Sequence, residues 1–229
     1  MSLFVIGDLH LSLGCDKPMD VFGGRWENYI HKLKEGLSLI KEGDTTVICG
    51  DLTWGMTLQE AEEDFRFIHS IPGRKIILKG NHDYWWSTAS KAMKFFEEKG
   101  IDSIEILNNN CFFYEDIAIC GTRGWAAEGN VSREHDKKMT DRELLRLEAS
   151  LKAAGEREKI VFLHYPPKMY GYECTPMLEL MERYGVQKCF YGHLHSAGRN
   201  AAFEGESHGV RLRLISADHL MFMPLKIVL

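Results

Sequence analysis

Aspartate and histidine recur in this chain directly after short apolar runs. Residues 3–6 lead into Gly7-Asp8-Leu9-His10, and residues 46–49 into Gly50-Asp51. Residues 75–78 lead into Gly80-Asn81-His82-Asp83, 159–163 into His164, and 188–191 into Gly192-His193-Leu194-His195. A single histidine after a strand is ordinarily a core or turn residue, and an aspartate after glycine is ordinarily a turn or cap. Five such endings, which take five of the ten histidines, do not fit that ordinary reading. Neutral imidazole and carboxylate with no thiolate beside them suit Mn²⁺, Fe or Zn²⁺. Two aspartates and several histidines exceed the needs of one tetrahedral ion. The count fits two ions about 3.5–4 Å apart, clamping the attacking and leaving oxygens of an in-line displacement.

The runs are too short for helices and rich in Val, Ile and Phe, as buried strands are. Helical periods lie between them. Residues 26–42 place Tyr29, Ile30, Leu33, Leu37 and Ile40 on one face, 57–70 place Leu58, Ala61, Phe65 and Ile68, and 87–99 place Ala92, Phe95 and Phe96. Further helices are expected at 138–154 and 176–184. Strands alternating with helices point to βαβ units, and ligands gather at the carboxyl ends of strands in such sheets. The five motifs would therefore converge. Strands at 104–107, 111–115 and 117–120 follow, and the tail 201–229 reads as three short strands with turns at Ser207-His208-Gly209 and Asp218-His219. The expected fold is α/β, a two-sheet mixed β-sandwich flanked by helices, in one domain spanning 1–229. Residues 11–25 and 122–136 are long for connections. Loops of that length in a compact domain are functional or disordered, and both are expected to act as lids.

A chain of 229 residues suits one α/β domain, and its 45% hydrophobic and 27% charged content excludes disordered, collagenous and membrane-embedded classes. Its 28 basic and 33 acidic residues give a net charge of −5, without the basic footprint that a nucleic-acid backbone requires. A small phosphorylated molecule held by metals remains open. Six scattered cysteines without C-x-x-C spacing read as free thiols in a reducing compartment. The first apolar run stops at Asp8, which fits neither a signal peptide nor a membrane span. A cytoplasmic protein is expected.

In order, and with no ligand missing, Asp8-x-His10, Gly50-Asp51, Gly80-Asn81-His82-Asp83, His164 and Gly192-His193-x-His195 resemble the motif series of the calcineurin-like metallophosphoesterases, among them bacterial phosphohydrolases. The resemblance covers residues 3–195 and implies a four-layer αββα architecture. It implies that Asp8, His10 and His195 hold one metal and Asn81, His164 and His193 the other, with Asp51 bridging. Manganese or iron is expected first and zinc as the alternative, in divalent or trivalent form. The resemblance further implies that a hydroxide bridging the ions attacks a phosphate ester in line. His82 would protonate the leaving alkoxide, and Asp83 would orient and charge that imidazole. Phosphoprotein phosphatases of this superfamily carry Gly after the first D-x-H and Arg-Gly after the second motif. Here those places read Leu11-Ser12 and Leu52-Thr53-Trp54-Gly55. A small-molecule phosphodiester is accordingly expected ahead of a monoester. The alternatives are a phosphomonoesterase or phosphoprotein phosphatase, and a non-catalytic interaction module that would be expected to have lost ligands this chain keeps.

Substrate contacts are expected from flanking residues. Arg123, in Gly121-Thr122-Arg123-Gly124-Trp125, puts a guanidinium where other strands end in ligands, and guanidinium suits phosphate. Arg25 lies in the first long loop. Trp54 and Tyr84, with Trp85 and Trp86, follow the second and third motifs and could stack on a base or line an apolar leaving-group pocket. The ordinary alternatives are a surface salt bridge for the arginines and core packing for the aromatics.

Overall fold

Strands that are apolar on both faces need a layer on each side, and the computed structural model, which describes residues 1–126 and 132–228, supplies both. Along β1 (Leu3–Ile6), Leu3 and Val5 join a cluster between two sheets, while Phe4 and Ile6 join one beneath helices. In β2 (Thr45–Cys49) and β3 (Arg74–Leu78) the division repeats: Val47, Cys49, Ile76 and Leu78 lie between the sheets, Ile48 and Ile77 on the helical side. That helical layer is α1 (Tyr29–Leu37), α2 (Glu62–Ser70) and α3 (Ala89–Glu98), which contribute Leu33, Phe65 and Phe96 to the shared core.

With β4 (Ile104–Ile106) and β13 (Leu225–Lys226), these strands form a five-stranded sheet in the order β13-β1-β2-β3-β4, antiparallel only at β13. The second sheet comprises β5 (Cys111–Tyr114), β6 (Ile117–Thr122), β7 (Glu158–Leu163), β10 (Lys188–Tyr191), β11 (Gly205–Ser207) and β12 (Val210–Leu214). Its order is β11-β12-β10-β7-β6-β5, with antiparallel strands at both edges and a parallel centre. A small hairpin pairs β8 (Lys168–Met169) with β9 (Tyr172–Glu173). On the outer face of the second sheet, α4 (Arg133–Ala153) and α5 (Thr175–Arg183) bury Leu147, Leu151, Met177 and Met181. The layers run α, β, β, α. The two sheets meet where their parallel strands end: Gly7 N–H donates to the Ile215 carbonyl at 2.8 Å, and Ala217 N–H to the Gly7 carbonyl at 2.8 Å. The motif-bearing ends of both sheets therefore face one another.

Differences from the sequence expectation have local causes. The helix expected at 26–42 begins only at Tyr29, because Asn28 is left-handed (φ 55°) and two 3-10 turns, Met19–Phe22 and Gly24–Trp26, precede it. The helix expected from residue 138 begins earlier, at Arg133, where the Ser132 hydroxyl caps the His135 N–H at 3.2 Å and Glu134 and Asp136 occupy the first turn. The stretch 122–136 thus divides between the end of β6 and the start of α4, and the lid expected there falls on residues 127–131, outside the described residues. The other expected lid, 11–25, is tied down at its root rather than loose. Leu11 and Met19 are buried, and the Leu13 N–H donates to Asp64 Oδ1 at 2.7 Å. All six cysteines are free. Among the described residues no helix is long and apolar enough to cross a membrane.

Asp64, on α2, also accepts the Thr53 hydroxyl, so one buried carboxylate fastens both the β1 and the β2 loops. Burial pushes its pKa up to about 6. A carboxyl whose folded pKa is raised binds the extra proton in the native state, so stability falls as pH rises from about 4 through about 6. Relative to D64N, the wild-type chain should lose up to about 3 kcal/mol over that range and no more above it. Chemical denaturation of both proteins at several pH values measures the difference; a difference independent of pH would contradict it.

Candidate metal centre

Several motif residues occupy backbone geometry that L residues avoid: φ is 55° at Asp8, 46° at His10, 49° at Asp51 and 71° at His193. Each such residue costs about 1–2 kcal/mol, so its surroundings must impose it. The loops after β1 and β2 do this by zipping together. Asp8 N–H donates to the Gly50 carbonyl at 3.0 Å, His10 N–H to that of Asp51 at 2.9 Å, and Leu11 N–H to that of Leu52 at 2.9 Å. Gly50 is itself left-handed (φ 79°), and a Cβ there would stand 2.7 Å from both Gly80 Cα and His164 Nδ1. At Gly80 a Cβ would stand 2.0 Å from Asp51 Oδ1, so only hydrogen fits.

Acceptor atoms converge inside this frame. Asn81 Oδ1 lies 2.6 Å from His164 Nε2 and 3.0 Å from His193 Nδ1. The His164 Nδ1 stands 3.0 Å from the Cys49 carbonyl, which can only accept, so Nδ1 carries the proton and Nε2 a bare lone pair. Asp51 Oδ1 is 3.6 Å from that Nε2. On the other side of Asp51, Oδ2 lies 3.6 Å from His10 Nε2, which in turn lies 3.2 Å from His195 Nε2. Donor atoms of Asp8, Asp51 and His164, all buried, lie within 4.8 Å of one another and could hold a metal ion.

Charge tells the same story. Burial, and next His195, holds His10 well below the usual imidazole range; burial takes His164 to about 3 and His193 to about 2, and it lowers His195. At pH 7 these rings are neutral and offer lone pairs. Burial, and next Asp51, drives Asp8 well above the carboxylate range and Asp83 up to about 7. Among the described residues neither Asp8 nor Asp83 forms an ion pair with Lys or Arg. The cluster is short of positive charge, and nitrogen and oxygen donors of this kind fit divalent cations that supply it.

The other expected site residues surround this centre. His82 sits with its ring 4.7 Å from that of Trp54 and 5.6 Å from that of His10, and its Nδ1 lies 3.0 Å from the Tyr84 hydroxyl. Asp83 is expected to orient His82, but no hydrogen bond joins the two among the described residues. Its Oδ2 accepts Asp51 N–H at 3.0 Å and Gly80 N–H at 2.7 Å, and its Oδ1 accepts Leu52 N–H at 2.9 Å and Trp85 Nε1–H at 3.0 Å. Asp83 is a clamp on the Asp51 and Gly80 loops. Trp54 stacks on His10, with centroids 4.8 Å apart and planes at 24°. Arg25 donates to the Asp218 carbonyl at 2.9 Å. Arg123 gives its carbonyl to the N–H groups of His164 and Tyr165, while its guanidinium lies over the Trp125 and Tyr165 rings. Sequence reasoning missed Trp26, whose ring edges meet His10 and His195, because it reads there as a helical residue. It also missed Asp218, buried and bound to Ser196 N–H at 2.7 Å and Arg199 at 3.1 Å, because Asp218-His219 signals only a turn.

The family model for calcineurin-like phosphoesterases matches residues 1–197. A comparison with curated proteins finds no match. Among solved structures, the chain is similar to a protein of unknown function, AQ665, from Aquifex aeolicus, with 18% identity, a TM-score of 0.53, and coverage of 98% of this chain and 95% of that one. It is also similar to TT1561 of Thermus thermophilus, with 13% identity, a TM-score of 0.52, and coverage of 87% of this chain and 85% of that one. At these identities the likeness is one of fold.

If Asp83 clamps the loops, D83N should weaken metal affinity about tenfold or more, as loss of an outer support does. Equilibrium dialysis with Mn²⁺ measures this. Unchanged affinity with a loss of turnover alone would return Asp83 to the role of partner to His82.

Proposed function

We propose, for a chain that belongs to the calcineurin-like phosphoesterase family, that it is a metal-dependent hydrolase of a small-molecule phosphate ester, a diester ahead of a monoester. The observation that carries this reading is the convergence of neutral imidazoles and buried carboxylates on either side of Asp51. Asp8, His10 and His195 with Asp51 are assigned to one ion, and Asn81, His164 and His193 with Asp51 to a second. Manganese or iron suits this donor set best, and zinc is compatible with it. When bound, such ions lower the pKa of a water ligand and neutralise charge on phosphoryl oxygens.

The chain's own residues do the rest. The Cys49 carbonyl fixes the His164 tautomer, so that its lone pair faces Asn81 and Asp51. His82 lies beyond the ligands. With Nδ1 held by Tyr84, its Nε2 is left for the leaving oxygen, and imidazole is the side chain best suited to passing a proton there. Trp54, Met19, Val21 and Phe22 line an adjoining cavity of about 500 Å³. An apolar wall beside the centre suits the second substituent of a diester, which supports the diester over the monoester. Free thiols support a reducing, cytoplasmic setting, and we read residues 1–229 as one domain.

Hydrolysis of bis-p-nitrophenyl phosphate against p-nitrophenyl phosphate, with Mn²⁺ and after chelation, tests the reading. Chelator-sensitive cleavage with the diester ahead is expected. Cleavage of the monoester alone would overturn the diester preference, and no cleavage by metal-loaded protein would favour an interaction module. H82A should lower kcat by about 10²–10⁴-fold with metal content intact; loss of bound metal would instead make His82 a ligand.

A further inference from the structure

Beside the metal centre lies a second cavity, of about 210 Å³, lined chiefly by Lys79, Trp86, Thr122, Arg123, Arg142 and Arg146. Four of these residues are cations, in a chain whose net charge is −5. Arg146 pairs with Glu143 at 2.6 Å. Glu143 is otherwise taken up by the Thr122 hydroxyl and the Gly124 N–H. Among the described residues Lys79, Arg123 and Arg142 form no salt bridge within 4 Å, although Asp83 and Glu143 act on Lys79 electrostatically, and the buried Arg123 Nε has no acceptor. Like charges repel by about 1 kcal/mol at 4 Å even at the dielectric of water, and by more where water is displaced. Among the described residues one ion pair, Arg146 with Glu143, partly neutralises this set of four, so the cavity favours an incoming anion.

The guanidinium of Arg123 is held without an ion pair. It lies 5.3 Å from the Trp125 ring and 5.9 Å from the Tyr165 ring, while its carbonyl anchors the backbone of His164 and Tyr165. Such a fixed, unspent fork is the geometry that meets a phosphate in two hydrogen bonds. The Tyr165 ring, beside which that guanidinium lies, has its centroid 4.4 Å from that of His193. Lys79 lies two residues before Asn81. The cavity and the cluster are thus linked through the chain, from Arg123 to His164 and from Lys79 to Asn81.

We propose that this cavity binds a second phosphate group of the substrate, so that the ester hydrolysed is a small molecule carrying a phosphate besides the one at the metal centre. That the anion belongs to the substrate rests on the phosphoesterase reading; the anion affinity of the cavity does not. An acidic protein otherwise repels such a molecule, and a local cluster of cations overcomes that repulsion.

The test has two arms, with R142Q and K79Q as variants; Arg142 is exposed on α4, so R142Q leaves the core intact. In the first, inorganic phosphate is titrated calorimetrically into chelated protein, whose empty acidic centre repels it. The wild type should bind, and each variant should bind about tenfold or more weakly, as loss of a charge-assisted hydrogen bond implies. No binding by the wild type, or binding that neither variant weakens, would overturn the site. In the second arm, Mn²⁺-loaded protein hydrolyses p-nitrophenyl phosphodiesters of a sugar with and without a second phosphate group, the bisphosphate and the monophosphate respectively. The wild type should prefer the bisphosphate about tenfold or more in kcat/KM, and R142Q should erase that preference through KM. Phosphate binding that depends on Arg142 without such a preference would overturn the substrate class and mark the site as one for free phosphate. Phosphate binding without hydrolysis of any ester would uphold the anion site and refute the phosphoesterase reading.

Discussion

Asp8, Asp51 and Asp83 crowd one buried space, and Asp51 raises the pKa of the other two after burial has already done so. Everything else about this end of the molecule follows from that constraint. Buried carboxylates either take up protons or meet a cation. The neighbouring imidazoles cannot serve, because the same burial keeps them neutral. What the chain offers in place of its own cation is a ring of lone pairs.

Holding that ring together requires both sheets. β1, β2 and β3 bring Asp8, His10, Asp51 and Asn81 from one side, and β7 and β10 bring His164, His193 and His195 from the other. The sheets are joined at Gly7 by hydrogen bonds to Ile215 and Ala217, next to Asp8. Left-handed backbone at Asp8, His10, Asp51 and His193 is tolerated because paired loops and glycines leave no other path. Asp83 spends its carboxylate on this frame, and Asp64 ties the outer loops to α2. Lys79, Arg123, Arg142 and Arg146 line a separate cavity beside this frame.

Much of the fold is legible in the sequence, because strands buried on both faces announce themselves as apolar runs, and the Asp, Asn and His residues at their ends are the ones that converge. The run at residues 3–6 coincides with β1, and the run at 188–191 with β10. What stayed hidden depends on contacts between distant loops. No spacing shows that Asp83 accepts the N–H groups of Asp51 and Leu52, 32 and 31 residues away. Trp26 reads as part of a helical period and Asp218 as part of a turn, and their place beside His10 and His195 exists only once the chain has folded. The start of α4 was missed for a different reason. The polar turn that follows its cap, Ser132, offers no hydrophobic face to mark it.

Binding of Mn²⁺ to chelator-stripped protein, followed by thermal unfolding and by metal analysis of the dialysed product, tests most directly whether this acceptor cluster exists to hold cations. About two ions per chain should be retained, and the unfolding midpoint should rise with metal concentration as ligand linkage requires. Retention of no ion, with an unfolding midpoint indifferent to metal, would contradict it.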